Sequence, residues 1–164
     1  MGLIIKDKIQ LLMKGYPTVS DKYNVAGAVL AGTTPVGFGD LVKASSTAGY
    51  FEAITSTVAV TDILGFTVAT NVKLNETWPS GGIAINPGEA FNLLVNGFIA
   101  IELDSEATDS YIKANAKVAV ILATGKCTTA DKIDDSTIVA LPNVVFTGTK
   151  ETQGTAKLAE IYVK

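Results

Sequence analysis

The sequence predicts an all-β protein: a single β-sandwich or barrel over residues 24–164, preceded by an N-terminal arm or short helix over residues 1–23. Three observations carry that reading. Short runs rich in Val, Ile, Thr and Phe recur along the chain, punctuated by Gly, Pro, Asn and Asp. Two of them, residues 90–95 and 98–103, flank Asn96-Gly97. That dipeptide is a strong hairpin signal, because both central residues of a type I′ turn need positive φ. After residue 24 no stretch keeps a helical period, and neither an internal repeat nor a linker-like shift in composition appears.

Taken in order, Ile5, Ile9 and Leu12 recur at helical spacing among Lys6, Asp7, Lys8 and Gln10, until Gly15-Tyr16-Pro17 breaks the pattern. This segment either covers one end of the domain or leaves it as an arm to a neighbour, with Ile5, Ile9, Leu12 and Tyr16 as anchors. Residues 25–30 read as a strand. Gly37 and Gly39 invite a phosphate-loop reading, but no third Gly and no helix follow, so the expectation is a bend that turns Phe38 into the core. Residues 50–54 and 63–69 read as strands, the second with a bulge at Gly65; residues 56–61 suit extended chain. Trp78, beside Pro79, reads as a lid on the core.

The second arm of the expected hairpin alternates, with Phe98, Ala100 and Glu102 on one face and Ile99, Ile101 and Leu103 on the other. Glu102, Asp104, Glu106 and Asp109 lack the glycine turn and terminal bidentate Glu of a calcium loop and read as a solvated loop. Residues 117–123 form a buried-strand run. Cys127 sits in a polar, Thr-rich turn. Residues 138–146 are β-rich with Pro142 at an edge or corner, residues 147–155 are a polar loop, and residues 157–164 alternate strictly as the last strand. This gives roughly eight to eleven strands.

With 164 residues the chain is long enough to bury roughly 70% of its unfolded surface around one core. Apolar residues make up 48% and charged residues 18%, against a usual charged share of about 25%. Either the fold is unusually core-rich or part of its surface is meant to be covered by something else. The longest uncharged run, residues 23–39, is broken by Gly27, Gly32, Pro35 and Gly37 and is no membrane span; no export signal is evident. There is no His, no Arg and one Cys. Those absences exclude Ser-His and Cys-His nucleophile pairs, the usual zinc sites and an internal disulfide. All 13 cations are Lys and the net charge is −3, which argues against nucleic acid as partner. No catalytic residue, metal ligand or cofactor site is assigned.

Four segments in order resemble the cement (decoration) proteins of tailed-phage capsids. Residues 31–42, Ala-Gly-Thr-Thr-Pro-Val-Gly-Phe-Gly-Asp-Leu-Val, are similar to that family's Pro-x-x-Phe-Gly-x-x-Val stretch. Phe66-Thr67-Val68-Ala69, after Leu64-Gly65, matches its Gly-Val-Ala-like strand. Asn86-Pro87-Gly88-Glu89 with residues 93–101 looks like its hairpin of Gly-Glu, apolar strand, Gly and apolar strand, and residues 141–146 with 157–161 resemble its closing pair. The resemblance covers residues 24–164; the long N-terminal segment and the lack of Arg depart from it. It implies a non-enzymatic virion protein on the capsid exterior. Its partners would be the major capsid protein and other copies of itself, as a dimer or trimer, with no membrane or nucleic acid involved. A second class, a phage-borne β-sandwich binding glycans or a host surface, would need Trp78, Tyr50 and Tyr111 on one exposed face. A hydrolase would rest on Glu102 with Asp104.

Overall fold

The structure is a computed structural model and describes residues 12–18, 23–69 and 84–164. Eleven strands are present among them: β1 (Tyr23–Leu30), β2 (Val36–Gly37), β3 (Leu41–Ala44), β4 (Tyr50–Ala53), β5 (Ile63–Val68), β6 (Ala84–Ile85), β7 (Ala90–Leu103), β8 (Lys117–Ile121), β9 (Cys127–Thr129), β10 (Ile138–Gln153) and β11 (Ala156–Val163). The helical content among the described residues is three short 3-10 turns. Nine strands form one sheet in the order β1-β4-β3-β5-β7-β11-β10-β8-β9, and β2 pairs with β6 alone. Two further pairings, β1 with β7 and β7 with β9, close the sheet on β7 twice. The result is two five-strand rings that share one long strand. Closure removes most of the free edges that an open sheet would present.

β7 corrects the hairpin expectation. Asn96-Gly97 does not turn the chain; β7 runs through it for 14 residues. Asn96 is not among the residues with positive φ, so the type I′ geometry is absent. The local preference loses to long-range pairing. Gly97 is the register partner of both Tyr23 and Val163, and the Asn24 amide donates to Asn96 Oδ1 at 3.0 Å. The dipeptide instead marks a bulge. Register with β1 shifts between Asn24↔Asn96 and Val25↔Leu94, which leaves Val95 as an extra residue.

That one residue reverses the faces of β7. Before it, Phe91 and Leu93 fill the first ring with Ala28, Leu30, Val42 and Ala53, under a cap of Val36, Phe38 and Ile85. After it, Ile99, Ile101 and Leu103 fill the second ring with Val118, Val120, Leu141, Phe146 and Ile161. Ile99, Ile101, Phe146 and Ile161 are fully buried, each contributing about 1.5–3 kcal/mol of transfer free energy. This second core also takes Leu41, Phe66 and Val68 from the opposite face of β3 and β5. The predicted alternation of residues 98–103 and of the last strand both hold, as does the turn of Phe38 into the core.

Four other expectations need correction. Residues 147–153 are strand, not loop: the polar run of β10 pairs with β11 through Lys150↔Ala159 to Gln153↔Ala156, after a register shift past Phe146. Backbone pairing carries it, and its polar side chains lie largely at the surface. Cys127 is not in a turn but opens the short buried strand β9. The bulge in β5 falls at Leu64, one residue before Gly65, where register passes from Val42↔Gly65 to Lys43↔Ile63. Residues 56–61 form no strand and lead into the 3-10 turn Val60–Asp62. Pro142 does sit at a corner, in the register shift between Ala140 and Val145, with Asn143 at φ 60°. Trp78 and residues 1–11 of the expected helix lie outside the described residues.

Candidate partner-binding surface

Residues 12–18 form a strap on β7. Ala100 donates its N–H to Tyr16 O (3.2 Å) and accepts from Gly15 N–H (2.8 Å), while Thr18 N–H donates to Phe98 O (3.2 Å). In a strand one residue's N–H and C=O point to the same edge. Ala100 therefore turns its polar groups away from β11, and the strap occupies the edge between β1 and β9. Ala69 N–H donates to Gly15 O (2.8 Å), tying the strap to the end of β5. Leu12 is 1% exposed and packs with Ala100 and Leu158. Its N–H donates to Glu151 Oε2 (3.0 Å), and the Gln153 amide donates to its carbonyl (2.7 Å).

Lys14 locks the strap to both rings. Its ammonium lies 2.8 Å from Asp40 Oδ1 and 3.5 Å from Glu102 Oε2. Burial opposes the charge, but the two carboxylates outweigh it and raise the Lys14 pKa above the ordinary 10.5. A raised value in the folded state means the pair's stabilisation is complete below pH 10.5 and is lost as pH climbs through the higher folded value. The Lys14 side chain is 33% exposed, so screening limits this to about 1 kcal/mol or less. The stability difference between the protein and Lys14→Met should therefore hold constant from neutral pH to about pH 10 and shrink above that. Thermal melts across that range check it.

Lys14, Asp40, Glu102, Pro35, Ile54 and Cys127 line a cavity of about 390 Å³ beside this lock. Burial, with Asp40 adding to it, pushes the Cys127 thiol far up, so it stays a protonated, inert core residue. The acidic run after β7 is fastened rather than free. Asp104 Oδ1 accepts the Glu106 N–H (3.0 Å), and Lys157 Nζ donates to the carbonyls of Ser105 (2.9 Å) and Ala107 (2.6 Å). Asp134 accepts from the Thr137 hydroxyl and from the N–H groups of Ile138, Ser136 and Thr137, which holds its carboxyl well below the usual range. Among the described residues no group of three or more metal-ligating side chains converges.

What the molecule offers a partner is apolar surface. Tyr23 (37% exposed), Val25 (38%), Leu64 (47%) and Val95 (53%) lie on the bulged end of β7 and the strands that flank it. Residues 23–27 of β1 are all exposed. Of the anchors expected from sequence, Ile5 and Ile9 lie outside the described residues. Leu12 is enclosed by its own chain, and Tyr16 is half-buried in the strap, with its hydroxyl buried and unpartnered. Tyr50 and Tyr111 are exposed, the first at the start of β4 and the second in the 3-10 turn Asp109–Tyr111, and Trp78 lies outside the described residues. The β1 surface was missed in the sequence, although the uncharged run from residue 23 was its signal.

Residues 8–164 match the family described as structural cement protein (E217 gp24/Pam3 gp6). The chain belongs to the structural cement protein family. The cement protein shares its fold with a chain of a solved structure titled "The capsid of Myoviridae Phage XM1". The two are 16% identical, with a TM-score of 0.65, over 97% of this chain and 95% of that one. No curated protein matches it. Its role is structural, in a phage capsid, which suits a scaffold of two filled rings with polar groups committed to internal bonds.

Proposed function

We propose that this cement protein binds the outer face of the phage head, associates with itself as a dimer or trimer, and reaches a neighbouring shell subunit with an arm within residues 1–23. Ile5 and Ile9 are the arm's anchors, and Leu12 and Tyr16 are its root. The observation that supports this is the strap: with Leu12 enclosed and Lys14 locked to both rings, anything ahead of Leu12 starts from a fixed point. A tethered second contact then acts by effective concentration without a tight primary contact. A ligand that binds only the assembled shell stabilises it by mass action at every symmetric site.

Deletion of residues 1–11 tests the arm, with copies per head counted after incubation with cement-depleted heads. The expected result is a roughly tenfold or greater rise in the concentration needed for half occupancy. Unchanged occupancy overturns the arm and leaves the cement role standing. Surface labelling of intact, decorated heads tests the exterior position.

A further inference from the structure

We propose that the outer edge of β1 is where two copies of the cement protein meet, β1 pairing antiparallel with β1 of the second copy about a two-fold axis at Val25. This deepens the self-association proposed above and selects a dimer over a trimer.

The edge is open. β4 pairs with β1 only at Val29 and Leu30, so residues 23–28 have β7 on one side and, among the described residues, no strand on the other. Leu30 donates to Glu89 O and accepts from Gly88 N–H, so its polar groups face β7. Alternation then directs the N–H and C=O of Gly27 and Val25 outward. Proteins guard such edges with Lys, Pro or a bulge. Here none is used: no charged residue occurs between residues 23 and 39 in a chain with 13 lysines, and the bulge lies in β7.

The edge also complements itself. Tyr23, Val25 and Gly27 share one face of β1. A Cβ at Gly27 would meet nothing within 4 Å, so the strand has a notch there, and Tyr23 is a ring 37% exposed. Centring the two-fold on Val25 sets Tyr23 of each copy over Gly27 of the other and Val25 beside its own copy. A ring laid across a strand glycine is a known stabilising cross-strand pair. The two-fold buries the same apolar residues on both sides and closes the assembly at two. Five residues per copy make a small interface, so dissociation in the micromolar range is expected.

Two variants and a length measurement decide it. Val25→Lys sets like charges beside each other across the axis and should raise the dimer dissociation constant at least tenfold by sedimentation equilibrium, with an unchanged circular dichroism spectrum. Val25→Cys should form a covalent dimer under mild oxidation, since paired Cα atoms about 5.5 Å apart admit a disulfide. Leu64→Cys, more exposed than Val25 but off this edge, should not, and the buried Cys127 supplies no background. A dimer that ignores Val25→Lys, or a trimer, overturns the proposal. So does a monomer whose Val25 and Gly27 amides gain hydrogen-exchange protection only on heads, which gives the edge to a shell strand. In that last case head binding survives and only the β1 pairing falls.

Discussion

Deleting Ala100 should leave the protein without a cooperative unfolding transition, whereas deleting Val95 should cost no more than about 3 kcal/mol. Phe91, Leu93, Ile99, Ile101 and Leu103 are all odd-numbered, so strict alternation would put them on one face. The bulge at Val95 absorbs one residue and sends the first two into one ring and the last three into the other. Without Val95, whose side chain is 53% exposed, Leu93 and Ile99 stand an odd number of steps apart, and plain alternation keeps both sets on their own faces. Without Ala100, Ile99 and Ile101 become neighbours, so either Ile99 or Ile101 with Leu103 turns out of the second core, and the strap loses its partner on β7. Exposing side chains worth about 1.5–3 kcal/mol each, together with that loss, removes most of a net stability of about 5–15 kcal/mol. Denaturant titration followed by tryptophan fluorescence and circular dichroism checks both variants. An Ala100 deletion that still unfolds in a single sharp step would show that β7 re-pairs around the loss.

Gly15→Ala should destabilise by roughly 2–4 kcal/mol, combining a left-handed backbone cost with overpacking. Gly15 adopts φ +79°, and an added Cβ would stand 2.3 Å from Phe38 Cβ and 2.7 Å from the Phe38 carbonyl carbon. Neither can yield: Phe38 is buried in the cap of the first ring, and Gly15 is fixed by its bonds to Ala100 and Ala69. Gly49→Ala is the matched control. It has φ +82° with nothing within 4 Å of the added carbon, so only the backbone term of about 1–2 kcal/mol applies. The shift in denaturation midpoint at constant slope reads the difference. Equal losses at the two positions would mean that the strap lifts away at little cost.

Much of the strand layout was legible in the sequence. Apolar runs and their alternation placed β1, β4, β5, β8 and β11 within a few residues, because each of them carries apolar side chains into a core. What failed were the places where local and distant preferences compete. Asn96-Gly97 is a turn in isolation, yet partners on both edges of β7 hold it extended. Residues 147–153 carry turn-like polar chemistry, yet β11 pairs with them through backbone groups that composition does not reveal. The strap was invisible for a related reason. Its apolar residues repeat at helical spacing, while the contacts that fix it, from Leu12 to Glu151 and Gln153, span 139 and 141 positions. Double closure on one strand depends on pairings of that range, and no window of sequence contains them.

The shared strand has a mechanical consequence. Tension applied to one ring travels to the other along a single unbroken backbone, with no hinge or loop to absorb it. The strap lies against the same backbone and is pulled with it. Force applied at the two ends of the molecule would thus load the ladders on both edges of β7 together, so that the two rings resist as one body.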